Sequence, residues 1–252
     1  MLPLLYHTHH SAHAEDLPFW QGLATQQGGR LLELGCGTGR VTIPLWQHGF
    51  DLVGLDYDAA MLAQLRRNLA DSGLDPAAVQ IVQADMTNFA LEGQFSLILL
   101  PCNTFSTLQS PARQKTLERV FAHLKPGGIF AVSQPNPAMF YDLPKRSAQQ
   151  LEEAFINPLT KNPVQVLSSW RRTNTQFIVT WHYDHLLPNG KAERFTAEVR
   201  HELDSAEVYV REIAAAGLEI QSIYGDFEQN PYEPDADEMI VVAQKPFAAH
   251  LS

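Results

Sequence analysis

With 252 residues, 45% of them apolar and 18% charged, the chain is long enough for one large α/β core, or one core plus a small insertion, and is not disordered. A formal net charge of −10 provides no basic face for nucleic acid or an anionic membrane surface, so small molecules or protein surfaces are the expected partners. Two cysteines, Cys36 and Cys102, make neither a disulfide framework nor a metal-ligand spacing; with no leader-like N-terminus and no apolar run near the roughly 18 residues of a spanning helix, the expected setting is a reducing cytoplasm.

Residues 1–28 read as an N-terminal arm and helix. His7, His9, His10 and His13 precede Glu15, Asp16 and the pair Phe19 and Trp20. His9 and His13 are four apart, as two ligands on one helical face would be. The H-E-x-x-H form is missing, however, and no cysteine or carboxylate has a matching spacing, so no metal site is assigned. The favoured reading is a polar arm; its functional variant lays Tyr6 and the histidines over a cofactor site. Asp16-Leu17-Pro18 predicts the cap and first turn of a helix carrying Phe19, Trp20 and Leu23.

Arg30 to Arg40, RLLELGCGTGR, is the most informative stretch. Leu31, Leu32 and Leu34 predict a buried strand, and Gly35, Gly37 and Gly39 a tight turn, with a helix starting between Thr38 and Val41. Such a junction offers unpaired backbone N–H groups to an anionic group. Asp56 closes the next apolar run, Leu52 to Leu55, where a carboxylate in a βαβ unit accepts ribose hydroxyls. An adenosine-bearing cofactor is the first hypothesis. The dinucleotide spacing G-x-G-x-x-G fails because Arg40 stands where the third glycine belongs, which disfavours an NAD-dependent dehydrogenase. A phosphate loop also fails, since no Lys-Ser/Thr pair follows Gly39.

Val41, Ile43, Leu45 and Trp46 predict a crossover helix ending near Gly49, and Asp58 caps one bearing Met61, Leu62 and Leu65. Val79–Val82, Phe95–Leu100 and Ile129–Val132 are the third to fifth strands. Pro111 opens a helix that Leu124-Lys125-Pro126-Gly127-Gly128 ends in a turn. Strands alternating with amphipathic helices predict a parallel sheet with ligands beyond its carboxyl ends. From about Pro135 to Leu203 the rhythm changes. A helical piece over Ala148–Phe155 is expected to precede three alternating runs, Val164–Arg172, Gln176–Leu186 and Ala192–Leu203, with Asn189-Gly190 as a hairpin signal. These predict an inserted three-stranded antiparallel meander. Asp204 and Glu207 then read as a capping box for a helix ending at Gly217, followed by strands Leu218–Tyr224 and Met239–Gln244.

Together these signals resemble the class I S-adenosylmethionine-dependent methyltransferases over nearly the whole chain apart from the insertion. Glu33-Leu34-Gly35-Cys36-Gly37-Thr38-Gly39 resembles motif I, FSLILLPCNTF (95–105) motif IV, LKPGGIFAV (124–132) the post-motif, and AAAGLEIQSIYGDF with EMIVVAQK the reversed hairpin of strands six and seven. The resemblance implies an α/β fold: a Rossmann-like seven-stranded sheet, mostly parallel with the last strand reversed and helices on both faces, formed by 29–135 and 204–252. Residues 136–203 would be the inserted antiparallel β cap, serving as a substrate region or a homodimer surface. It also implies S-adenosylmethionine as cofactor and S-adenosylhomocysteine as product. The implied cofactor contacts are Glu33, Gly35, Cys36, Gly37, Gly39, Asp56, Tyr57, Asp85, Met86, Pro101, Asn103, Phe105 and Tyr6. Gly35 and Gly37 N–H would meet the methionine carboxylate, Asp56 the ribose and Asp85-Met86 the adenine, with Phe105 near the adenine or sulfonium.

Pro101-Cys102-Asn103-Thr104-Phe105 departs from the N/D-P-P-Y/F form of enzymes that methylate amino groups of DNA or protein glutamine. That departure, with the insertion, is similar to the small-molecule branch. The expected reaction is in-line methyl transfer to an N or O atom of a small-molecule acceptor. The alternatives are a non-catalytic or partner-dependent binding protein of this fold, or a methyltransferase acting on protein. For a hydroxyl acceptor the candidate bases are His182, His185, His201 and Asp226. His182 shares a strand face with Thr180 and Asp184, for which a solvated face is the competing reading; Phe177, Trp181 and Tyr183 share the other face and read as core.

Overall fold

A computed structural model describes residues 1–247. Two helices come first, α1 (Leu2–His10) and α2 (Leu17–Gln27). A seven-stranded sheet follows, built from β1 (Arg30–Leu34), β2 (Asp51–Asp56), β3 (Gln80–Gln83), β4 (Phe95–Leu100), β5 (Leu124–Pro135), β10 (Glu219–Tyr224) and β11 (Glu238–Gln244). Its order is β10-β11-β5-β4-β1-β2-β3. The β1–β5 pairs are parallel, and β11 runs antiparallel to both of its neighbours. The crossovers are α3 (Thr42–Gln47), α4 (Ala59–Asp71) and α5 (Ser110–His123), with α7 (Ala206–Ala215) before β10. No helix among the described residues is long and apolar enough to cross a membrane.

Alternation sets the two faces of the sheet. Leu32, Leu34, Ile98, Leu100, Phe130 and Val132 pack with Phe105, Leu117, Val120 and Tyr209 on one side. Leu31, Leu97, Leu99, Ile129 and Ala131 pack with Phe19, Trp20 and Ala24 of α2 on the other. Each fully buried Leu, Val or Phe contributes about 1.5–3 kcal/mol, so burial on both faces explains the continuous apolar runs. Asp58 caps α4 as predicted, accepting from the Ala60 and Met61 N–H groups.

A second sheet, β6 (Gln150–Ile156), β7 (Pro163–Arg172), β8 (Gln176–Leu186) and β9 (Ala192–Glu202), is antiparallel in that order. It corrects the three-stranded meander. The expected helix over Ala148–Phe155 is mostly strand β6, because pairing with β7 overrides the local helix preference of Leu151, Glu152, Glu153 and Ala154. A short helix, α6 (Ala138–Tyr141), leads into it. Leu5 of α1 is buried among Val164, Val166 and Tyr183, so the N-terminal arm is a helix docked on this second sheet.

Three local expectations are also corrected. The Leu124–Gly128 turn is the start of β5, held where Gly127 N–H donates to Lys245 O and Lys245 N–H to Gly128 O. Ser205 takes the N-cap position of α7, while Asp204 pairs with Arg113, whose guanidinium also holds Glu212 at 2.6 Å. Asp16 makes no cap bond to α2; its carboxylate turns to Trp20 Nε1 and to Arg40.

Candidate functional site

The glycine turn lies at the carboxyl end of β1, with φ of +68° at Gly35, +51° at Gly37 and +89° at Gly39. Each glycine has its own reason. A Cβ on Gly39 would overlap Leu65 Cδ1 in the core. One on Gly35 would lie 3.1 Å from Thr104 Cγ2 and 3.5 Å from Met86 Cε, so the motif IV loop and the segment after β3 converge on this turn. At Gly37 the nearest atom is Gly35 O at 4.0 Å, and the space beyond is open. The turn also bonds to itself. Cys36 N–H donates to Leu55 O at 3.0 Å, Gly39 N–H to Cys36 O at 2.9 Å, and Gly37 N–H to Asp56 Oδ2 at 2.8 Å. This corrects the expectation that Gly37 N–H is open to an anion, and α3 starts only at Thr42, later than predicted. Asp56 therefore braces the turn; its other oxygen accepts from Asp58 N–H at 2.8 Å, and burial raises its pKa.

Glu33 is only 2% exposed and accepts from Thr42 Oγ1 at 2.6 Å. Burial pushes its carboxyl up to about 8, so it is mostly protonated at neutral pH. Cys36 is buried against Gly54. These two support the turn from below. Tyr57 and Asp85 are exposed, Asp85 accepting from Thr87 N–H at 2.8 Å, and Met86 is buried beside the turn.

Across the site runs the loop after β4. Cys102 and Asn103 are successive non-glycine residues at φ of +60° and +61°, a conformation costing roughly 1–2 kcal/mol each. Arg40 ties this loop to the rest. Its guanidinium forks onto Asp16 with two 2.6 Å bonds, donates to His13 O at 2.7 Å and reaches Cys102 Sγ at 2.9 Å. In the sequence Arg40 stands out only where a glycine is missing, and nothing in the spacing of Asp16 and Arg40 signals their pairing.

Helix α1 closes the remaining side. His7 Nδ1 lies 2.9 Å from Thr38 Oγ1 of the turn. His9, fully enclosed, bridges Tyr183 OH and Glu152 Oε1 at 3.1 Å each. The Tyr6 and His10 rings lie 4.1 Å apart, tilted by 51°, and both meet Trp181 of β8 edge-on; Tyr6, pushed up to about 12 by burial, lies beside Cys102 and Arg40. Tyr6 thus lies beside the loop after β4, next to Trp181, which is only part-buried rather than core.

Several proposed residues sit elsewhere. Phe105 is wholly buried with Phe130 and Tyr209 in the core, and shows no surface to a cofactor, because the 3-10 turn Phe105–Thr107 rotates it inward. Asp226 is part-exposed and held by Asn230 in its own turn. His182 bonds Thr196 Oγ1 at 2.9 Å on the outer face, and His185 is buried against Thr160 near the end of β8 remote from His201. Only His201 of the four reaches the loop after β4. Its Nδ1 lies 2.8 Å from Ser106 Oγ, and burial pulls it down to about 4.

Residues 31–128 match a family model described as a methyltransferase domain. The chain is 27% identical over 221 residues to a cypemycin N-terminal methyltransferase of a Streptomyces species, covering 86% of this chain and 84% of that one. Among solved structures, an S-adenosylmethionine-dependent methyltransferase from Clostridium acetobutylicum ATCC 824 superposes with a TM-score of 0.76 at 15% identity, covering 91% and 92% of the two chains. The sugar N-methyltransferase KedS8 from Streptoalloteichus sp ATCC 53650 gives 0.72 at 22%, covering 92% and 87%. Residues 31–128 thus match the methyltransferase domain model, within a chain that shares its fold with the solved S-adenosylmethionine-dependent methyltransferases it superposes on.

Proposed function

We propose that the protein is an S-adenosylmethionine-dependent methyltransferase that methylates an N or O atom of a small-molecule acceptor. The observation carrying this reading is the convergence of the glycine turn, Asp56 and Met86 at the carboxyl ends of β1, β2 and β3, all within the segment that matches the methyltransferase domain. The residues fit the cofactor. Gly37 has open space where a side chain would project, and Asp56 is a carboxylate fixed by two backbone donors, with lone pairs left for ribose hydroxyls. Asp85 and the backbone of Met86 would read the adenine.

Bound there, S-adenosylmethionine supplies a methyl already activated on a sulfonium. What the chain adds is alignment, which can lower the barrier by about 7–11 kcal/mol. The loop after β4, braced by Arg40 and Asp16, and the Tyr6–Trp181 side of α1 and β8 would wall the acceptor. The small-molecule reading is supported by the whole-chain likeness to a sugar N-methyltransferase. A peptide N-terminus is the second acceptor class, favoured by the cypemycin N-terminal relative. Both are amines.

A screen of amino sugars, small amines, hydroxylated metabolites and short peptides, read by S-adenosylhomocysteine release, tests this. Turnover with a metabolite supports it. Turnover confined to peptides moves the acceptor to the second class, and S-adenosylhomocysteine binding without turnover on any of them favours a binding protein of this fold.

A further inference from the structure

His10 is a polar side chain beside this site that the reading above does not use. It sits one turn after Tyr6 on α1, its ring 4.1 Å from Tyr6, 4.4 Å from His9 and 5.2 Å from Trp181, which meets it edge-on. Its Nε2 is buried with no hydrogen-bond partner among the described residues. His7 has Thr38 and His9 has Tyr183 and Glu152. A buried polar nitrogen left unpaired costs about 1–3 kcal/mol, so it calls for a partner from outside the chain.

We propose that His10 receives the methyl acceptor, its Nε2 accepting a hydrogen bond from the N–H of an amine held against the rings of Tyr6 and Trp181. This rests on the cofactor reading and narrows it to an acceptor class. Burial, with the Arg40 charge nearby, pulls His10 down to about 3, so the imidazole is neutral at physiological pH and keeps one bare nitrogen. An unpaired buried nitrogen is more readily tolerated as an acceptor than as an orphan N–H.

Two acceptor classes fit poorly. A carboxylate would need a cation, but Arg40 is engaged by Asp16, His13 O and Cys102, and His10 stays uncharged. A hydroxyl would need a base to take its proton, and so weak a base as His10 does not serve at neutral pH. An uncharged amine needs neither. Its lone pair forms the N–C bond as the S–C bond breaks, the S–C electrons return to sulfur, and the N–H proton leaves to water. The aromatic faces of Tyr6 and Trp181 favour the positive charge that develops on nitrogen.

Calorimetric titration of the full chain tests this without knowing the acceptor. The probes are S-adenosylhomocysteine and sinefungin, an analogue with an amine in place of the transferable methyl. The wild type is expected to bind sinefungin about tenfold more tightly, the worth of one hydrogen bond. In His10→Phe that preference should vanish while S-adenosylhomocysteine affinity stays within about twofold, which also shows the variant is folded; His10→Asn should recover part of it. A preference that survives in His10→Phe, or none in the wild type, overturns the proposal and leaves the cofactor reading standing. Loss of S-adenosylhomocysteine binding in His10→Phe also overturns it, placing His10 in the fold or the cofactor site. Failure of the wild type to bind either probe overturns both.

Discussion

Gly37 and Gly39 stand two residues apart with positive φ, yet the structure gives them opposite tasks, and alanine at each should separate folding from binding. At Gly39 the added Cβ runs into Leu65 Cδ1 and comes within 3.1 Å of Ile43 Cγ1, both buried. Overpacking of about 1–3 kcal/mol adds to a left-handed backbone cost of about 1–2 kcal/mol, giving roughly 2–5 kcal/mol. In a chain of this size that lowers Tm by roughly 4–20 °C. At Gly37 only the backbone cost applies, about 1–2 kcal/mol, because the Cβ points into open space. If that space is where the cofactor lies, Gly37→Ala should lose at least about tenfold in S-adenosylhomocysteine affinity with a Tm drop of only roughly 2–8 °C. Differential scanning fluorimetry and calorimetric titration on both variants give the two numbers. Gly37→Ala binding like the wild type would refute the assignment of the open side of the turn to the cofactor.

Glu33→Gln replaces a buried carboxyl that is mostly protonated at neutral pH. A raised carboxyl pKa contributes stability that is fully present below the unfolded value of 4.5 and is lost as pH rises through about 8, so the wild type should weaken by roughly 3 kcal/mol between pH 6 and 9. The Gln variant should not, and urea melts at the two pH values measure the difference; parallel losses would show that Glu33 is ionised throughout. Arg113→Ala leaves the buried Glu212 carboxylate without its 2.6 Å partner and should cost about 3–5 kcal/mol, seen as a lower urea midpoint with an unchanged slope. A loss under about 1 kcal/mol would mean that Ser110, which also donates to Glu212, suffices.

The parallel core was legible because its signals are local. Leu31–Leu34, Leu52–Leu55 and Phe95–Leu100 are short apolar runs that end at glycine, aspartate and proline, and Asp58 caps from within its own turn. Asp56 could be placed at the end of β2, but its bond to Gly37 required the turn's positive φ values. What was hidden depends on distant partners. β6 is a strand only because β7 lies beside it, and His9 meets Tyr183 across 174 residues of sequence. Arg40 is legible as an interruption of glycine spacing, and as a brace only once Asp16 and Cys102 are near. Phe105 shows the converse failure: its place in a familiar motif suggested a ligand, while packing with Phe130 and Tyr209 takes it into the core.

On this reading Asp56 and the glycine turn hold S-adenosylmethionine. Calorimetric titration of S-adenosylhomocysteine into the wild type and Asp56→Ala tests it most directly. A hydrogen bond from a ribose hydroxyl to the carboxylate is worth about 1.5–3 kcal/mol, so one site in the wild type and a loss of at least roughly 10–100-fold in the variant, the worth of one such bond, are predicted. No binding to the wild type, or an affinity unchanged by Asp56→Ala, would contradict it.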